Sequence, residues 1–313
     1  MKIKKPYFWD LQKPNFISYL LLPFTVPIIL NNLLLNFNKK KKSLQNTKTI
    51  CIGNLYIGGT GKTPLTIKLS QILKKLHYKT GVVKKFYKNQ NDEQKLIKLK
   101  NKLYCSKKRR VALNKAINDG VDVVLFDDGL QDKSINYDLK FVCFNNIKGI
   151  GNGFLIPAGP LREKVDSLSK YDAVFINGTQ TNNDKLKKFL KKFNKKIKIF
   201  ETFYRPTNIK EFSTKDKYLI FSGIGNPDTF KEVLIQNNLD IIKEIRFPDH
   251  YQYNKNDINE IKSLAKNLGS KILTTEKDFI KLNKRNAREI SYLSIDLLIK
   301  NKSELVNFIK SKV

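Results

Sequence analysis

Gly58-Gly59-Thr60-Gly61-Lys62-Thr63 lies between an apolar run, KTICIGN (48–54), and a stretch of helical spacing that opens on Pro64. These residue types in this order can hold a phosphate chain. Glycines let backbone N–H groups turn inward, and a following helix N-terminus adds its dipole. The Lys62 ammonium reaches the β and γ phosphates of a nucleotide such as ATP, and the Thr63 hydroxyl ligates Mg²⁺. The full phosphate-loop pattern asks for a further glycine at position 56; this chain has Tyr56, so only the second half is present. About 65 residues further on, the apolar run Val123 to Phe126 ends in Asp127-Asp128-Gly129, with Gln131 just after. Alone, Asp-Asp-Gly reads as a turn. At the carboxyl end of a buried strand beside a phosphate loop, Asp127 and Asp128 are placed to hold Mg²⁺ directly or through water. Cys51, Cys105 and Cys143 have no CxxC spacing and no neighbouring histidine, so neither a zinc site nor a disulfide framework is expected.

Bringing such groups together takes strands whose ends meet. Apolar runs predict strands at 48–54, 80–83, 122–126, 140–144 and 173–176. Helices are predicted at 64–76, with Pro64 in the first turn, and around 110–118 and 184–196. Strands alternating with helices imply a mostly parallel sheet covered on both faces, an α/β fold of the P-loop NTPase kind. A smaller alternation follows, with strands at 218–222, 241–246 and 271–274 and helices near 227–237 and 255–268. A boundary near Pro206 then divides the chain into a P-loop core, 1–205, and a smaller C-terminal α/β unit, 206–313.

Sixty Lys and Arg against 28 Asp and Glu give a net charge of +32. That charge attracts nucleic acid, anionic lipid or a phosphorylated substrate. The excess is mostly Lys, spread over helices, loops and tail in a chain also rich in Asn and Ile, which reads as compositional bias. No RNP, KH, zinc-finger or helix-turn-helix pattern supports nucleic acid as a partner. Residues 16–37 are the one long apolar stretch, and as a single helix they would span roughly 33 Å at about 1.5 Å per residue. Pro23, Pro27, Asn31 and Asn32 argue against a spanning helix. Flanked by Lys2, Lys4, Lys5 and Lys13 and by Lys39 to Lys42, the segment 1–42 reads as a broken amphipathic helix or hairpin at a membrane surface. A helix pair packed on the core is the alternative.

The motifs GNLYIGGTGKTP, FDDGLQ, GNGFLIPAGPLRE, FSGIGNP, FPDH and TTEKD occur in the order seen in tetraacyldisaccharide 4'-kinases. The chain resembles that family from its N-terminal apolar segment to about residue 281. The resemblance implies transfer of the γ-phosphate of ATP, with Mg²⁺, to the 4'-hydroxyl of an acylated disaccharide phosphate lipid at the cytoplasmic face of the inner membrane. It also implies a P-loop core facing a smaller α/β domain across a cleft, with a membrane-associated N-terminal segment. GGTGKT resembles the loop of MinD-like ATPases as well, but Ile57 stands where those carry an extra lysine; a MinD-like membrane-associated ATPase is the alternative function.

Carried over to this chain, the resemblance places His250 of FPDH in the catalytic cleft, while His77 is expected to be only the end of a helix. Asp92 and His250 form the expected catalytic pair, with the aspartate taking the hydroxyl proton while the histidine orients it. Arg162 is expected to neutralise developing charge like an arginine finger, and Glu163 beside it is either part of the site or a surface ion pair. Relatives usually read SRGYG and, further on, GDEP; this chain reads Lys84-Lys85-Phe86-Tyr87-Lys88 and then Asn91-Asp92-Glu93-Gln94. Tyr87 and Asp92 survive that comparison, Lys85 replaces an arginine, and Arg110 matches a family arginine further on. Glu276, Lys277 and Asp278 of TTEKD are expected at a strand end, with no role assigned.

Overall fold

The computed structural model describes residues 5–37, 47–87, 91–132, 134–178 and 183–313. The strands of the first half are β1 (Lys48–Gly53), β2 (Thr80–Lys85), β3 (Leu103–Ser106), β4 (Val123–Asp127), β5 (Leu139–Asn145), β6 (Ala173–Gly178) and β7 (Lys198–Pro206). They are followed by β8 (Lys217–Ser222), β9 (Asp240–Arg246), β10 (Lys271–Thr275), β11 (Ile290–Leu293) and β12 (Ile295–Ile299). Two helical pieces, α1 (Phe16–Leu20) and α2 (Val26–Phe37), precede β1. Between and after the strands come α3 (Lys62–Lys75), α4 (Asn91–Lys100), α5 (Arg109–Asn118), α6 (Asp184–Phe193), α7 (Pro227–Gln236), α8 (Lys255–Asn267), α9 (Glu276–Phe279) and α10 (Lys302–Lys310).

The large sheet runs β12-β7-β6-β5-β1-β4-β2-β3, and every neighbouring pair except β12–β7 is parallel. Its central strands β1, β4 and β6 are buried almost end to end, as strands covered on both faces must be. One face carries α5 and α6 through Ala112, Leu113, Ala116 and Leu190. The other carries α3 and α10 through Leu65, Leu69, Leu73, Leu305 and Ile309. A second, all-parallel sheet runs β11-β10-β8-β9, with α7 on one side through Phe230 and Leu234 and α8 on the other through Ile258 and Ile261.

The chain leaves the large sheet at Pro206, but it comes back. Ile295 pairs with Pro206 and Ile299 with Thr202 in the antiparallel β7–β12 ladder. Leu297, Leu305 and Ile309 then bury themselves in the larger core. Residues from Ile295 onward therefore belong to the large unit, which corrects the expected 206–313 span. Leu297, Leu305 and Ile309 cover the first sheet, while Ile295 also packs against the core of the second, whose strand order is complete without β12.

The apolar stretch 16–37 breaks where its prolines require: α1, a single 3₁₀ turn over Leu22–Thr25, then α2. Among the described residues no helix is long and apolar enough to cross a membrane. Its polarity is inside out. Ser18 and Thr25 are buried, whereas Phe16, Leu20 and Phe24 are 81%, 63% and 65% exposed. Polar bonds hold the inner side on the loop 151–163. Asn152 Nδ2 donates to Ser18 Oγ (3.0 Å), Trp9 Nε1 to the Pro157 carbonyl (2.9 Å) and Asn32 Nδ2 to the Arg162 carbonyl (3.1 Å). Lys2, Lys4 and Lys39 to Lys42 lie outside the described residues.

Candidate functional site

The phosphate loop closes on Gly61, the residue before α3, at φ 81°, a left-handed conformation that favours glycine. A Cβ there would stand 2.6 Å from Asn177 Nδ2, and one on Gly59 2.6 Å from the Gly225 backbone. Tyr56, in place of the first glycine, forms an antiparallel bridge with Leu161. Extended backbone needs no glycine, so the bulky residue is accommodated, with its ring buried and its hydroxyl bonded to Asp10. Neighbouring backbone bonds, Ile57 N to Pro160 O (2.9 Å) and Arg162 N to Leu55 O (2.7 Å), fasten the PAGPLRE loop beside the phosphate loop.

Parallel strands ending together bring the acidic turn alongside. Asp127, the last residue of β4 and fully buried, accepts a bond from Thr63 Oγ1 at 3.0 Å and one from Lys84 Nζ at 2.6 Å, both on Oδ2. Its Oδ1 is buried with no hydrogen-bond partner. Asp128 follows with φ 60° and turns its carboxylate to Arg162 (3.0 Å) and Lys62 (3.9 Å). Burial opposes its ionisation, but the charges of Lys62, Arg162 and Lys84 hold its pKa below the ordinary aspartate value. Gln131 links Arg162 to Glu163, accepting from the guanidinium at 3.3 Å and donating to the buried Glu163 carboxylate at 3.0 Å. Tyr171 donates a further bond to Glu163, so this residue is no surface ion pair.

Asp92 and His250 meet. His250 Nδ1 lies 3.0 Å from both carboxylate oxygens of Asp92, which is 1% exposed at the start of α4. Burial pushes the Asp92 pKa up, yet the His250 bond and the nearby Lys277 and Lys281 charges bring it down to about 2. Lys277 Nζ stands 3.2 Å from Asp249, 3.3 Å from Glu93 and 3.6 Å from Asp92, and Lys281 Nζ 3.5 Å from Asp92. Glu93, opposed by burial but flanked by Lys84 and Lys277, ionises well below the usual glutamate range. Between the phosphate loop and the small sheet lies a cavity of about 230 Å³. Ile67, Leu96, Phe230 and Leu293 give it apolar walls, with Lys62, Glu93 and Lys277 among its charged groups.

Not every expected residue arrives. Arg110 points to solvent, and its neighbour Arg109 is the one that turns inward, bonding the Asp128 carbonyl and Asp132 (3.2 Å). One residue along a helix is a rotation of about 100°, enough to exchange inside and outside. Tyr87 is 40% exposed and contributes its carbonyl to Gln94 Nε2. His77 ends α3 with φ 68°. In TTEKD, Asp278 caps the Gly223 N–H and binds Tyr253 and Lys281, Glu276 pairs with Lys100, and Lys277 alone reaches the acidic cluster. Lys84, Glu93, Lys277 and Lys281 had no assigned role; the one signal for Glu93 was a second acid beside Asp92 at a helix start.

The family model described as tetraacyldisaccharide-1-P 4'-kinase matches residues 17–313. A tetraacyldisaccharide 4'-kinase of Pelagibacter ubique is 49% identical over 307 residues, covering 98% of this chain and 97% of its own. One from Rickettsia akari is 33% identical over 319 residues, covering 96% and 95%. Among solved structures, LpxK from Aquifex aeolicus, crystallised in complex with ATP, superposes with a TM-score of 0.67 at 23% identity, covering 95% of this chain and 99% of that one. At that identity the likeness is one of fold.

Proposed function

The chain belongs to the tetraacyldisaccharide-1-P 4'-kinase family, and from that membership we infer that it is a kinase of lipid A biosynthesis, moving the γ-phosphate of ATP to the 4'-hydroxyl of tetraacyldisaccharide 1-phosphate. The observation that carries the site assignment is the Asp92–His250 bond, formed between the large and small units beside the cavity onto which the phosphate loop opens.

The loop amides and Lys62 bind the β and γ phosphates, and Arg162, now paired with Asp128, meets the charge that develops on transfer. Thr63 Oγ1 and Asp127 are hard oxygen donors, and the unpartnered, buried Asp127 Oδ1 fits a cation such as Mg²⁺ carried by the nucleotide. Among the described residues no group of three or more His, Cys, Asp or Glu side chains could hold a metal ion; Thr63 and Asp127 would hold Mg²⁺ together with nucleotide phosphates and water. Mg²⁺ supplies charge neutralisation on the phosphates.

The hydroxyl proton goes to the Asp92–His250 pair. Asp92 accepts it while His250 orients the carboxylate: the two lie 3.0 Å apart, and His250 with the nearby Lys277 and Lys281 keeps Asp92 ionised. The outward apolar face of α1 and the turn after it supports peripheral seating on a membrane, which the family resemblance implies is the cytoplasmic face of the inner membrane.

Labelled ATP incubated with lipid A precursors in detergent tests the reading: a new labelled lipid bis-phosphate is expected, and Lys62→Ala should abolish it. Label released only as free phosphate would favour the MinD-like ATPase. No feature of α10 favours that alternative, since Leu305 and Ile309 are buried in the core rather than turned out to a membrane.

A further inference from the structure

One charged side chain at the heart of the site takes no part in the scheme above. Lys84 is 2% exposed, and its Nζ lies 2.6 Å from Asp127 Oδ2 and 2.7 Å from Glu93 Oε2. Burial disfavours an ammonium, but the charges of Asp127 and Glu93 raise its pKa above the ordinary lysine value. The stem is fixed as well. Lys84 is in register with Asp127 across the β2–β4 ladder and with Cys105 of β3 on the other side. The space between two carboxylates, next to the Thr63 hydroxyl, is a place where a divalent cation would find hard oxygen ligands. Here an ammonium carried by the sheet fills it, leaving open only Asp127 Oδ1.

We propose that Lys84 is a built-in cation that ties Asp127 to Glu93 and keeps divalent ions off the nucleotide-free site, so that metal enters only with the phosphates of the nucleotide. With Lys84 in place the trio carries one net negative charge instead of two, which weakens its attraction for a dication. Nucleotide phosphates supply the missing negative charge, and Asp127 Oδ1 remains as the protein's open ligand. The idea rests on the kinase reading for the nucleotide, but its central claim concerns the empty enzyme.

Mn²⁺ titrated into the nucleotide-free protein, followed by loss of the free-ion EPR signal, tests it. Lys84→Met should gain one site binding at least about tenfold more tightly than any in the unmodified chain, a factor equal to about 1.4 kcal/mol. Lys84→Arg should behave like the unmodified chain, and adding Asp127→Asn to Lys84→Met should remove the gain. Equal Mn²⁺ affinity with and without Lys84, or a gain that survives Asp127→Asn, overturns the proposal. Should Lys84→Met fail to fold, Lys84→Gln takes its place. Even without either variant, tight Mn²⁺ binding by the unmodified empty enzyme that Asp127→Asn abolishes would overturn it. Calorimetry with Mg-ATP on the same samples reads the phosphate loop separately: failure there strikes the kinase reading and leaves the Mn²⁺ comparison intact.

Discussion

His250→Ala and Asp92→Asn, made singly and together, test the proton-accepting pair. The two residues approach each other at 3.0 Å through both carboxylate oxygens, in a site where Asp92 has almost no contact with solvent. A positioned general base contributes about 10² to 10⁴ in rate, or roughly 2.7 to 5.5 kcal/mol of barrier. Each single change should cause a loss in that range. His250→Ala leaves Lys277 at 3.6 Å and Lys281 at 3.5 Å beside Asp92, so the buried carboxylate keeps compensating charge and the fold should survive. If the residues act as one unit, removing the second costs little once the first is gone, and the double variant stays within about 10⁴ of the unmodified enzyme. Independent residues would instead multiply, to about 10⁴ to 10⁸. Single-turnover transfer of labelled phosphate into lipid, with Mg-ATP affinity measured alongside, separates the cases. Multiplicative losses, or a single variant with the unmodified rate, would refute the reasoning.

Arg162→Ala should lower kcat by about 10³ to 10⁵ if the guanidinium leaves Asp128 for the transferring phosphate; a change confined to the KM for lipid would make it a substrate clamp. Replacing Phe16, Leu20 and Phe24 together by Asp should abolish sedimentation with anionic liposomes while the melting temperature stays put, because all three side chains already face solvent. Unchanged sedimentation would remove this face from membrane binding. Asp92 titrates near 3.8 unfolded and at about 2 folded, so its roughly 2 kcal/mol is present above about pH 4 and lost as pH falls towards 2. His250→Ala weakens that hold, and its acid-unfolding midpoint should lie at higher pH than the unmodified protein's; an unmoved midpoint speaks against the ion pair.

What the sequence carried best was chemistry tied to local pattern. GGTGKT and Asp127-Asp128 sit where strand ends must place them, because a parallel sheet aligns the carboxyl ends of β1 and β4. The meeting of Asp92 with His250 had no local signature and came only through resemblance. Lys84 could not be told from the many other lysines, since nothing in its neighbours marks a strand end that faces two acids. Arg109 and Arg110 differ by a helical rotation too fine for periodicity in so short a helix. β12 escaped notice because a five-residue strand paired antiparallel at a sheet edge owes its place to β7, far back in the chain.

That late strand makes the second sheet an insertion inside a hairpin, entering after Pro206 and leaving before Ile295, residues that face each other across one ladder. During synthesis, β7 emerges with its outer edge unpaired and stays so until the ribosome has finished the whole small unit and then Ile295–Ile299. An open edge strand is a template for pairing with another chain. The nascent enzyme is therefore most exposed to misassembly in its final stretch of translation, and a message truncated just before codon 295 would release a product with two folded sheets and one unguarded edge.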